Sequence, residues 1–400
     1  MPAFSADSLL LPSFVIFIIG TWITFRVTHS IEASFVVSFI KTLVFFIYFH
    51  FVFDGYFTFL DDWVYLESAK YIKLQGYNLF SFLYQNHFNW VLIAASIAGD
   101  QHFLYNLFNL FSFDLFGIHY FSPVALNVIL TFFTSYFAYR IVRLLGFQQK
   151  LSILFYLFFV LHWDTILWSS ILNLKDILVQ FLTVGAFYQI LLIEKGKKRW
   201  IHIIYLAAIL ILFLAIRFYL PFFLGFSYFL YRFILFLTRI KNPSVSLLIV
   251  FSGLFSFILL FILFIWLYGG DAILHVYLSD FENPFIGILR YLFMPIPFHA
   301  SEHYEYLNLA SPLDYLLIPF FFYGMYHAVR SGQKFFILLV IYFLLLTLFY
   351  GTYLELQGVR QKVQITFIFA IFEYIGLLKL LFRLPDIKIF NNFRKPKVIV

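Results

Sequence analysis

The feature that most constrains this chain is its set of long uninterrupted apolar runs. A membrane-crossing helix needs about 20 apolar residues, and barrel strands instead alternate in segments of about ten. Continuous runs of helical length fall near 9–27, 34–53, 120–139, 148–163, 171–193, 201–217, 218–237, 246–268, 313–329, 334–350 and 363–382. Eleven such runs predict an all-α, polytopic integral membrane bundle of about eleven transmembrane helices. Only 12% of the 400 residues are charged, against about 25% in a soluble domain. An ordinary soluble enzyme, a disordered chain and a free nucleic-acid binder are excluded. The first run lacks a basic leader and a small-residue cleavage site, so it reads as a retained span. With no Cys anywhere, disulfides, thiolate metal sites and a cysteine nucleophile drop out.

Lys and Arg orient the runs. Arg140, Arg143 and Lys150, then Lys195–Arg199, Arg232, Arg239 and Lys241, Arg330 and Lys334, and the tail from Arg383 to Lys397 mark one side. Acidic segments at 54–119, 164–170, 269–312 and 351–362 alternate with them. Most of the 27 basic residues fall on the first side and most of the 20 acids on the other. The expectation is a cytoplasmic C-terminus, an external N-terminus and a bacterial inner membrane. The whole of 1–400 reads as one membrane domain with two large outer loops, 54–119 and 269–312. The basic tail would lie against anionic lipid, so membrane lipids are expected partners and nucleic acid is not. Phe occurs 61 times without a fixed period, which points to packing and lipid-facing surface rather than a repeat.

The first outer loop opens with Asp61-Asp62-Trp63-Val64-Tyr65-Leu66-Glu67-Ser68-Ala69 and reaches Gly76. A bland reading makes this a capped juxtamembrane helix, with Asp62 at its start and Gly76 at its end. A functional reading makes Asp61 a general base that takes a proton from an acceptor hydroxyl. The acids are neighbours in sequence and project differently, so they do not match the paired carboxyls of a glycosidase.

This run resembles the first-loop signature of the GT-C glycosyltransferases, in the bacterial branch related to protein O-mannosyltransferases and aminoarabinose transferases. The signature has two acids, a Tyr three residues after the second, an Ala four later and then a Gly. Leu115-Phe116-Gly117, Asn173-Leu174-Lys175-Asp176 and Val359-Arg360-Gln361-Lys362 extend the resemblance in order over 54–382. Three departures stand against it: two spans precede the acidic loop, no Pro follows the basic pair, and no large external domain follows the last span. The resemblance implies amphipathic helices in the first outer loop and inverting transfer of a sugar from a polyprenyl-phosphate donor to an extracytoplasmic lipid, glycan or protein. Asp61 would be the catalytic acid and Asp62 its neighbour. A divalent Mg or Mn held by Asp61 and Asp62 is compatible, though no residue pattern demands a cofactor.

The cations most suited to a donor phosphate are Arg360, Lys362, Lys175, Arg217 and Arg290, because they sit on the otherwise acidic side. Each also has a plainer role as an ion-pair partner or helix-end anchor. Asn86, His87, Asn89 and Trp90 offer amides and a ring suited to sugar or acceptor contact, or form an interfacial turn. Glu373 lies inside the last run, where a buried acid needs a partner. Readings from other classes are a transporter or flippase, or a polymerase, for lipid-linked saccharides, and a noncatalytic scaffold.

Overall fold

The computed structural model describes residues 4–55, 60–85, 102–196, 199–217, 219–240, 283–299, 307–308, 310–352 and 359–384. They form helices throughout: α1 (Ala6–Thr28), α2 (Ile31–Ile47, continued by a π turn Tyr48–Val52), α3 (Leu60–Leu74), α4 (Leu79–Gln85), α5 (Phe103–Phe116), α6 (Phe121–Leu144), α7 (Gln149–Val160), α8 (Trp163–Ser170), α9 (Asp176–Glu194), α10 (Arg199–Leu214), α11 (Leu220–Leu237), α12 (Pro284–Phe293), α13 (Ser311–Arg330), α14 (Phe335–Thr352) and α15 (Thr366–Leu380), the last entered through a 3-10 turn Val359–Ile365. The chain is an all-α polytopic membrane protein.

The expected count of eleven spans is corrected. Among the described residues seven helices are long and apolar enough to cross a membrane, or eight if the bent pair α7 and α8 is one span. Three reasons account for the difference. The 201–217 run becomes the 16-residue α10, which at 1.5 Å per residue falls short of a core about 30 Å thick. The 313–329 run becomes α13, long enough but interrupted by Asp314, Pro319 and His327, and it falls outside the seven. The 246–268 run lies outside the described residues. The short 148–163 run breaks after Val160 and continues at an angle of 41°.

The chain divides into two compact units. The first comprises 1–221, 295–335 and 362–400. Its opening hairpin follows from capping: Ser5 accepts the Ser8 N–H and Ser30 accepts the Ala33 N–H, and acidic Asp7 and Glu32 sit in the first turns of α1 and α2, where the helix dipole favours them. His29 turns the chain at φ +54°. α6 lies at the centre, with 78% of its apolar window buried, against 39% for α1. α13 and α15 form the most extensive helix pairing. Glycines explain it: a Cβ on Gly324 would overlap the Phe372 carbonyl, and one on Gly376 would overlap that of Phe320. Small residues let membrane helices bring their backbones together.

The second unit comprises 222–294 and 336–361. Within it α12 lies against the end of α14, where a Cβ on Gly351 would meet the Ile288 backbone. Tyr291 is buried, stacks on Tyr350 and donates to the Gln361 carbonyl at 3.4 Å.

Candidate functional site

The acidic start of α3 is fixed by a buried polar network in the first unit. Asp62 is fully buried. One carboxylate oxygen accepts the Trp63 N–H at 2.9 Å and the other accepts the Tyr120 hydroxyl. Asn173, just ahead of α9, is the hub. Its backbone N–H donates to the Tyr120 hydroxyl at 3.4 Å, and its amide nitrogen donates to the Asp62 carbonyl at 3.1 Å and to Asn109 Oδ1 at 2.8 Å. Its amide oxygen accepts the Tyr105 hydroxyl at 2.8 Å. Asn127 on α6 then donates to the Tyr105 oxygen at 3.1 Å. Burial, then the Asp62 charge, pushes the Tyr120 phenol well above its ordinary range. Burial does the same to Tyr105. Both therefore stay protonated and serve as donors. Four elements, α3, α5, α6 and the approach to α9, are thereby locked at one end of the unit.

Asp61 precedes this anchor and is only partly buried. It shares a helix face with Tyr65, four residues on. Tyr65 is buried and meets the rings of His102 and Tyr105 at 5.1 Å each. The Lys175 ammonium lies over the Tyr65 ring, 5.9 Å from its centroid, and 2.6 Å from His102 Nδ1. An ammonium only donates, so that ring nitrogen is the acceptor. Asp61, Tyr65, His102 and Lys175 thus share one neighbourhood, built on α3, the start of α5 and the approach to α9.

The other sequence candidates separate. Arg217 is buried in an ion pair with Asp176 and donates to the Tyr219 hydroxyl at 2.9 Å. Lys362 lies within electrostatic reach of Asp164 and Asp314, so its charge faces carboxylates. Arg290 and Arg360 belong to the second unit, as neighbours in sequence of the linked Tyr291 and Gln361. Asn86, His87, Asn89 and Trp90 lie outside the described residues.

No group of three or more His, Cys, Asp or Glu among the described residues is placed to hold a metal ion. Asp62 already accepts two hydrogen bonds, so it is a poor first ligand for Mg or Mn, which demands near-ideal octahedral oxygen geometry.

Sequence reasoning missed two groups. His102 carries no motif. Lys41 is a lone cation inside an apolar run, and that signal was present. Its side chain is fully buried in α2, over the Phe132 ring at 5.3 Å, and donates to Thr131 and to the Val160 carbonyl at 3.5 Å.

No family model, no curated protein and no solved structure matches the chain.

Proposed function

We propose that this membrane protein is an inverting glycosyltransferase that uses a polyprenyl-phosphate sugar as donor. The observation that carries the reading is the pairing of a fixed acid with an accessible one. Asp62 anchors the start of α3, and Asp61 beside it shares a face with the ring beneath the Lys175 ammonium. Asp61 takes the proton of an acceptor hydroxyl as that oxygen attacks the anomeric carbon. The carbon–oxygen bond to phosphate breaks, and the electron pair leaves on polyprenyl phosphate. Lys175, with its ammonium braced by His102, neutralises the departing phosphate. Asp62 positions the helix. The acceptor is a lipid, glycan or protein on the extracytoplasmic side of a bacterial inner membrane, with the N-terminus outside and the C-terminus inside, as the Lys/Arg distribution suggests. No metal enters a step.

Purified protein given a labelled polyprenyl-phosphate sugar and envelope extracts tests this reading. Product and free polyprenyl phosphate should form with the native chain and not with Asp61→Asn. Lys175→Ala should weaken dependence on the donor; unchanged donor dependence would remove its phosphate role.

A second reading, transport of a lipid-linked saccharide, has its own support in the broken α7–α8 pair and the intramembrane Lys41. Broken helices and buried charges are recurrent in transporters. Donor bound and moved across a vesicle membrane without bond cleavage would favour that reading.

A further inference from the structure

A second cluster of ionisable side chains in the first unit takes no part in the reaction proposed above. It gathers at the break between α7 and α8. His162 occupies the break, is 3% exposed, and holds its Nε2 3.3 Å from Glu373 Oε2 on α15. Its ring stacks on Trp163 at 4.2 Å, and the Trp163 indole N–H donates to Asp314 near the start of α13. Asp164 on α8 and Lys362 in the 3-10 turn complete the charged set: Asp164 and Asp314 act on both His162 and Lys362. From α2, Lys41 reaches the Val160 carbonyl at the same break. The neighbouring α7 side chain against the His162 ring is Phe158, at 5.6 Å, and it brings no charge.

Three observations point to a bound ligand. The first is a charge count. In their ordinary ionised forms Asp164, Asp314 and Glu373 contribute three negative charges, and Lys41 and Lys362 two positive ones. One negative charge is left over in a low-dielectric interior, where an uncompensated charge is costly. The second is the imidazole itself. His162 Nδ1 is buried and has no hydrogen-bond partner among the described residues. The third is its neighbour Thr165, three residues on in α8, whose buried hydroxyl also has none. The set therefore lacks one positive charge, and an imidazole in contact with a carboxylate is the group suited to supply it.

We infer that the His162–Glu373 pair is a proton-binding site, holding one proton that balances the Asp164, Asp314, Lys362 and Lys41 charges around the broken helix. The proton rests either on the imidazole, giving an imidazolium–carboxylate pair, or on the carboxyl, giving a neutral pair; both states carry the same total charge. A proton is the ligand that fits, because no group here is placed to hold a metal ion and the 3.3 Å separation leaves room between the two side chains for nothing larger. The break in the helix is then held by a contact whose charge depends on one proton. The inference stands apart from the glycosyl-transfer reading and shares no residue with its site.

Infrared spectroscopy of the purified full chain in H2O and D2O at neutral pH, with ¹⁵N-labelled histidine, tests it. The native chain should show either a protonated-carboxyl band that shifts on deuteration or one imidazolium among its histidines. That signal should be lost in Glu373→Gln and in His162→Gln and be kept in His102→Gln. A native chain with every carboxylate ionised and every imidazole neutral at neutral pH would overturn the site, and so would a signal unchanged in both variants. Because the native spectrum alone can refute the proposal, failure of a variant to fold leaves it decidable. Survival of sugar transfer in His162→Gln would also show the two sites to be separate.

Discussion

Two buried polar regions of the first unit use similar residues to opposite ends. Around Asn173 every group of the hub amide has a partner, and the only charge in the network, Asp62, is held by two donors. Around His162 a ring nitrogen and a nearby hydroxyl are left over, and three carboxylates face two ammonium groups. A closed network rigidifies, since every desolvation cost is met by a hydrogen bond. An unclosed, charged one must gain or lose something to settle. The first region therefore reads as architecture that presents Asp61, and the second as a place where charge is exchanged.

The comparison can be broken most severely at Asp61 itself. Asp61→Asn should lower transfer by 10²-fold or more, on the order expected for a lost general base, with the fold intact by circular dichroism and gel filtration. Next comes the hub. Asn173→Ala orphans the Tyr105 hydroxyl, the Asn109 amide oxygen and the Asp62 carbonyl, and each buried unsatisfied group costs about 1–3 kcal/mol. Thermal unfolding in detergent should show a loss of several degrees at least; an unchanged midpoint would mean that the network is not the anchor. Gly376→Leu comes third. It pushes α13 and α15 apart and should cost about 1–3 kcal/mol by overpacking, with a lower unfolding midpoint as the readout. A midpoint equal to that of the native chain would remove the close glycine crossing. The smallest effect belongs to the Lys70–Glu67 pair on α3, which is 41% and 57% exposed. Exposed pairs contribute little, so Glu67→Gln should leave stability and transfer unchanged.

The sequence carried the membrane class in its apolar runs, and the start of α3 in its two acids and Gly76. It overcounted the spans because composition does not see a break: nothing in Leu161-His162 marks a 41° bend, and α10 is apolar enough but too short. The site was legible in part. Asp61, Asp62 and Lys175 were singled out, and the structure joins Lys175 to Tyr65 and His102. The roles divided on burial, which a linear motif does not encode: Asp62 is enclosed by Tyr120 and Asn173, which lie about 60 and 110 positions further along the chain. The His162 cluster was illegible for the same reason, since α8, α13 and α15 meet only after folding. Glu373 alone gave a hint, as an acid inside an apolar run that needed a partner.

The most direct measurement is transfer of labelled sugar from a synthetic polyprenyl-phosphate donor by the native chain, run beside Asp61→Asn and Asp62→Asn. Transfer by the native chain, abolition in Asp61→Asn with donor still bound, and loss of thermal stability in Asp62→Asn are the expected results. Full transfer by Asp61→Asn would contradict the division of labour between the two acids and remove Asp61 as the base.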